Sequence, residues 1–164
     1  LCRAQPYASL IKVPTPILHW QLTAFSTRQL DINAWSDLKP FKVGYERGMT
    51  IIAEHSELTL LPANSIESAI LQASKGRVDV LLNDDFTTRY NLRRMGVENL
   101  IANPTPLAPG PAFHLLNSKH QKLAEQLNAV LLEMTANDRI RQIKDEVIED
   151  FMRKAEQEFR QEQP

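Results

Sequence analysis

The chain has 164 residues, 43% of them hydrophobic and 24% charged, the balance of an ordinary globular protein of one or two small domains. A formal net charge of −1 speaks against a nucleic-acid partner, which needs a basic face. A single cysteine, Cys2, excludes an internal disulfide and any cysteine-rich metal site, and no apolar run reaches the ~18 residues of a membrane span.

Residues 1–16 show no clear periodicity; the abrupt start "LCRAQPYASL", without methionine or a signal-peptide pattern, reads as a mature or trimmed product. "ILHWQLTAFS" (17–26) is aromatic and apolar with partial alternation, which predicts a strand. In "DINAWSDLKP", Ser36 or Asp37 can cap a single turn that Pro40 ends. Three strand–helix units follow. "FKVGYERG" leads into a helix from about Met49 to Ser56, "LTLLPA" into "NSIESAILQASKGR", and "VDVLLND" into "DFTTRYNLRRMG". In the second unit Asn64 is the expected N-cap, with Glu67 closing a capping box and Gly76 at the left-handed end. Ile66, Ala69, Ile70 and Ala73 form its apolar stripe. The continuous apolar run Val78, Val80, Leu81, Leu82 reads as a strand covered on both faces.

"PAFHLLNS" is the expected last strand. Ser118 then opens a helix with buried stripe Leu123, Leu127, Val130, Leu131 and Met134, "ANDR" breaks it, and a final helix carries Ile140, Ile143, Val147, Phe151, Ala155 and Phe159. Its charged tail, "RKAEQEFRQEQP", is expected to be solvated or frayed. The broad stripes on these two helices require cover, either from a neighbouring copy in a homodimer or through a visibly reduced lobe. Strands alternating with helices give an α/β layered fold.

In such sheets ligands bind beyond the carboxyl ends of the strands. One end is Glu46-Arg47-Gly48-Met49-Thr50, where a glycine precedes a helix start. Free N–H groups there suit a carboxylate, with Thr50 adding a hydroxyl and Arg47 a charge; the plain alternative is a βα turn in which Gly48 only relieves strain. The N–H groups of Met49 and Thr50 are expected to point into open space. Gly44, inside the strand, is expected to admit a close neighbour. The other end is Asn83-Asp84-Asp85. One carboxylate caps the following helix and the other is free for an ammonium group; Asp84, nearest the strand, is the expected ligand contact. No GxSxG, P-loop or HExxH motif is present, and His19, His55, His114 and His120 lack metal-ligand spacing. The expectation is therefore a non-enzyme with no catalytic residue, metal or cofactor. Trp20 and Trp35 can line a pocket or fill the core.

"WSDLKPFKVGYERGMT", "SIESAILQASKGRVDVLLND" and "PAFHLLNSKHQKLAEQLNAVLLEMTANDRIRQI" resemble, in order and spacing, three segments of bacterial extracellular solute-binding proteins of the amino-acid-binding family. The resemblance covers roughly residues 13–145. It implies a type II periplasmic-binding-protein fold: two α/β lobes with a central cleft, the first lobe incomplete in this chain. Residues 1–25 and 111–164 would belong to that first lobe with the C-terminal helices, and 26–110 would form the second. By position, Arg47, Gly48, Met49 and Thr50 fall on the loop that holds the ligand carboxylate, and Asp84 on the acidic residue that holds the α-amino group. Arg3 lies roughly where the family's clamping arginine falls. Met49 stands where the family often has glycine, and "ANDR" where it has a glycine after the penultimate helix. The implied role is periplasmic binding of an amino acid or related carboxylate for an ABC permease. The alternatives are an input domain of a signalling receptor and, further off, a dehydratase-like enzyme using Glu46.

Overall fold

The computed structural model describes residues 9–161; Cys2 and Arg3 lie outside them. Two compact units share the chain: residues 9–20 with Gly110–Asp150, and Gln21–Pro109 with 151–161. The resemblance assigns 111–164 to the first lobe; in the structure the end of the last helix, from Phe151, groups with the second unit instead.

The second unit is built on β2 (Leu18–Ser26), β3 (Lys42–Glu46), β4 (Thr59–Ala63), β5 (Val80–Asp84) and β6 (Ile101–Ala102), in the order β4-β3-β5-β2-β6. The β4-β3-β5 portion is parallel, whereas β2 runs antiparallel to β5 with Leu22 opposite Asp84 and Phe25 opposite Leu81. Helices α1 (Thr50–Ala53), α2 (Ile66–Ser74) and α3 (Asp85–Met95) follow β3, β4 and β5. The stripe Ile66, Ala69, Ile70, Ala73 packs against Phe25, Ala63, Val78 and Leu81, all at most 8% exposed. Period 3.6 on the helix and period 2 on the strands bring these side chains to one face. Gly44 is in contact with this core: a Cβ there would lie 2.9 Å from Val78 Cγ2.

The cap of α2 is Ser65, whose hydroxyl accepts from the Ser68 N–H at 3.2 Å, one residue later than expected. Asn64 is thereby left to accept from the side chain of Arg47. Gly76 has φ +68, as a left-handed helix end requires. The turn Trp35–Leu38 is 3₁₀, and Asp37 accepts from the N–H groups of Asn33 and Ala34, both at 2.9 Å, which hold its carboxyl below the usual range. Asn103, 8% exposed, bonds both the N–H and the C=O of Ile32 and so fixes the long loop before that turn.

In the first unit, β1 (Leu10–Lys12) pairs antiparallel with β8 (Leu115–Asn117), and α4 (Gln121–Ala136) lies against them. The expected strand "PAFHLLNS" is two strands: β7 (Ala108–Ala112), which pairs with β2, and β8 after an interruption at Phe113 and His114. Ser118 begins a 3₁₀ turn rather than α4 itself, with the Asn117 side chain accepting from the Lys119 N–H. The core is Val13, Ala124 and Leu131, with Ile11, Ile17, Leu116, Leu127 and Ile140 against it. Leu123 and Val130 are 51% and 50% exposed, so only one edge of the α4 stripe is covered. The final helix, α5, runs Arg139–Gln161 after Asp138, which has φ +61. Of the two expectations for the tail, solvated or frayed, the structure has the first: residues to Gln161 are helical and most side chains from Arg153 on are exposed, Ala155 being buried; residues 162–164 lie outside the described residues.

Thr15 ties the start of this unit to α4, its N–H and hydroxyl both donating to Asn128 Oδ1 at 3.0 and 2.8 Å. Asn128→Ala removes both bonds and leaves Thr15, 8% exposed, without its partner. The expected loss is about 1–3 kcal/mol, seen as a lower urea midpoint at unchanged slope; an unchanged midpoint would deny this contact any part in holding the unit.

Candidate functional site

Two strand ends meet at one edge of the second unit. β3 and β5 are parallel neighbours with Val43 opposite Val80, Gly44 opposite Leu81 and Tyr45 opposite Leu82. Continuing this register by two residues sets Arg47 level with Asp84. Adjacent strands are about 4.8 Å apart, so the two backbones leave the sheet side by side. Arg47 has not yet left it, since its N–H still donates to Ala63 O at 2.8 Å.

At the first end the chain turns through Gly48, whose φ of +104 suits glycine and few other residues. A Cβ at this position would have nothing within 4 Å, so conformation and not crowding demands glycine. The following helix is shorter than the sequence suggests, four residues from Thr50 to Ala53 rather than Met49 to Ser56. Met49 is its N-cap, and the expectation for its N–H is corrected: it donates to Glu46 O at 3.3 Å, closing the turn. The exposed Arg47 side chain lies toward β4, with Nε donating to Asn64 Oδ1 at 3.3 Å.

At the second end the division of labour between the two aspartates is the reverse of the one expected. Asp84 is the N-cap of α3, its Oδ1 accepting from the Thr87 N–H and the Thr87 hydroxyl, both at 2.9 Å. Asp85 lies in the first turn and pairs with Arg89 at 2.8 Å, one helical turn on. The reason is geometric. An N-cap must keep extended backbone while its carboxylate reaches the N–H three residues on, and Asp84, at φ −57 and ψ 131, does so. Capping occupies one carboxylate oxygen, and the residue is partly exposed at the strand end.

Asn83, 2% exposed, has a buried Nδ2 with no hydrogen-bond partner among the described residues. Strand alternation puts it on the face of Leu81, under the helices, and Asp84 on the other, so Asn83 does not share a face with the two strand ends. Asn64 and Thr87, which orient Arg47 and Asp84, escaped sequence reasoning. Thr87 carries a usable signal, three residues after a capping aspartate. Asn64 carries none, because its partner comes from another strand–helix unit. Trp35 stacks on His55 at 3.7 Å between ring centroids, and Trp20 lies against Gly110, so both tryptophans have packing partners. Among the described residues no group of three or more His, Cys, Asp or Glu is placed to hold a metal ion.

No protein-family model and no curated protein sequence matches the chain. Solved structures do. The GluR0 ligand-binding core in complex with L-glutamate is similar at TM-score 0.66 and 18% identity, over 90% of this chain and 64% of that one. The amino acid ABC transporter substrate-binding protein AbpA from Streptococcus pneumoniae, bound to L-arginine, is similar at 0.67 and 13%, over 93% and 65%. A histidine kinase sensor domain with similarity to periplasmic binding proteins is similar at 0.64 and 15%, over 80% and 60%. The chain therefore has the mixed α/β fold of type II periplasmic binding proteins and spans 60–65% of the length of these three structures. No described helix is long and apolar enough to cross a membrane.

Proposed function

We propose that this chain binds a small polar solute, an amino acid or related carboxylate, in the periplasm, and hands it to an ABC permease. The carboxylate lies at Arg47-Gly48-Met49-Thr50 and the ammonium group at Asp84. The observation that carries the reading is the register of β3 and β5, which brings a cationic, glycine-turned strand end level with an anionic one. An amino-acid zwitterion carries its ammonium and carboxylate groups on one carbon atom, and two neighbouring strand ends suit two opposite charges held that close together. Because the Met49 N–H closes the turn, the carboxylate is left with the Thr50 N–H and hydroxyl and the guanidinium of Arg47. L-glutamate and L-arginine, bound by two proteins of this fold, are the first ligands to try.

Receptor input is a second reading, supported by the likeness to a histidine kinase sensor domain. It requires the same binding event and differs in the partner that reads it. A dehydratase-like use of Glu46 is the weakest reading, since the fold's neighbours named above are binding proteins.

Gly48→Val tests the first strand end. It forces a β-branched residue to φ +104, at a cost of about 1–3 kcal/mol in stability. In the protein that remains folded, the rise in melting temperature produced by millimolar L-glutamate, L-arginine or L-glutamine should vanish. A variant that keeps the parent's ligand-induced rise would reduce the junction to a plain turn.

A further inference from the structure

Within the second unit, the 3₁₀ turn Trp35–Leu38 precedes β3, and the loop of residues 54–58 joins α1 to β4. β3 and β4 are parallel, with Lys42 opposite Thr59, so turn and loop lie at the edge of the sheet where both strands begin. This is the edge opposite the candidate site. Leu38 of the turn and Leu58 of the loop are both buried, which anchors each segment on the core. A second set of contacts joins them nearer the surface.

That set is Trp35, His55 and Glu57. The His55 ring lies face to face on Trp35, with 3.7 Å between centroids and 15° between planes. Its Nδ1 donates to Glu57 Oε1 at 2.8 Å. Trp35 and His55 are half-buried, and the Glu57 side chain is exposed. Histidine is the side chain that changes charge between pH 5 and 8. A neutral His55 can make both contacts, but a protonated one makes them more strongly. The hydrogen bond to the carboxylate then carries charge on both partners, and a cation over the face of a tryptophan adds its own attraction.

The neighbouring charges support this. The Glu57 carboxyl is held below the usual range, first by the His55 hydrogen bond and to a smaller extent by Lys39, so it stays ionised throughout that window. Lys39, at the end of the turn, is a like charge near a protonated His55 and works against it. Asp37 on the turn is taken up by the N–H groups of Asn33 and Ala34, and Glu54, the C-cap residue of α1, is itself engaged. We propose that Trp35, His55 and Glu57 form a proton-sensitive clasp, which fastens the loop after α1 to the 3₁₀ turn more tightly as the pH falls. α1 is a single turn, too short to persist alone. The His55 N–H donates to Ile52 O at 3.0 Å and its C=O accepts from the Leu58 N–H at 3.1 Å, so the clasped residue is the one on which α1 ends. The charged ring gains two partners that unfolding takes away. The clasp's contribution to stability is therefore greatest in acid and declines as the ring loses its proton. It needs no bound solute, so its test is independent of the binding proposal.

The experiment compares urea midpoints of the ligand-free chain and of His55→Gln at pH 8 and pH 5, the limits of histidine titration, at one ionic strength and by circular dichroism. The comparison cancels the titration of His19, His114 and His120. The gap between the two proteins should be about twice as wide at pH 5 as at pH 8, and Glu57→Gln should remove most of the widening. In a Trp20→Phe background, where Trp35 is the one tryptophan left, its emission should fall over the same window, because an imidazolium quenches the indole it lies on, and should stay level in His55→Gln. A gap equally wide at both pH values would overturn the proposal, leaving the stack as packing alone. Level Trp35 emission in the folded Trp20→Phe protein would overturn it too, since the charged ring would not then lie on Trp35.

Discussion

Replacing Gly44 by valine is expected to destabilise the protein by about 1–3 kcal/mol, as inserting a side chain into a filled core does. The first added carbon already meets Val78 Cγ2 at 2.9 Å and Cγ1 at 3.3 Å. Val78 is 3% exposed and β-branched, so its methyl groups have little freedom to rotate away. Valine's better strand propensity, spread over a scale of about 1 kcal/mol, works in the other direction and is the smaller effect. The urea midpoint should fall for Gly44→Val and recover in large part for Gly44→Val with Val78→Ala, a non-additivity expected only of residues in contact. A Gly44→Val protein as stable as the parent would mean that the sheet shifts freely at this position.

The second large effect belongs to Asp84, and the structure changes how it must be measured. Since Asp84 caps α3, Asp84→Ala removes both the cap and the charge. The cap alone is worth about 0.5–2 kcal/mol, so alanine mixes a folding defect with any binding defect. Asp84→Ser separates them. Its hydroxyl can accept from the Thr87 N–H, and serine ranks with aspartate as a cap, so stability should stay within a few tenths of a kcal/mol of the parent's. Loss of a charge partner for a desolvated ammonium costs about 2–5 kcal/mol, or roughly 30- to 5,000-fold in affinity. Calorimetric titration of Asp84→Ser and Asp84→Ala should therefore show both weakened to that extent and only alanine with a lowered melting temperature. Parental affinity in Asp84→Ser would confine Asp84 to capping.

Much of the second unit was legible in the sequence because local signals and tertiary demands agree there. The stripe of α2, the left-handed Gly76 and the doubly covered run of β5 each follow from a period or a single residue's conformational freedom. Errors arose where two residues could do the same local job. Asn64 and Ser65 are both cap formers, and Asp84 and Asp85 both carboxylates. The choice depends on which residue is also wanted elsewhere, as Asn64 is by Arg47 and Asp85 by Arg89. The C-terminal helix was legible in part. Its charge marked the solvent-facing side, and Phe151, Ala155 and Phe159, at intervals of four, gave the narrow apolar line by which it docks. That its line meets α3 rather than the neighbouring α4 is long-range information no local pattern carries. The strand ends were found from the sequence, but their mutual level was not, since register is set by the pairing of β3 with β5.

The central claim is that the ends of β3 and β5 together hold a zwitterion. Isothermal titration tests it most directly, with L-arginine, L-glutamate and L-glutamine, and with the amine and the acid that remain when the α-carboxylate or the α-amino group of each is removed. The account predicts heat of binding from at least one intact amino acid and about 30-fold or weaker binding of both its half-molecules, each having lost one charged contact. A half-molecule that binds as tightly as its parent amino acid, or no binding by any of the three, would contradict it.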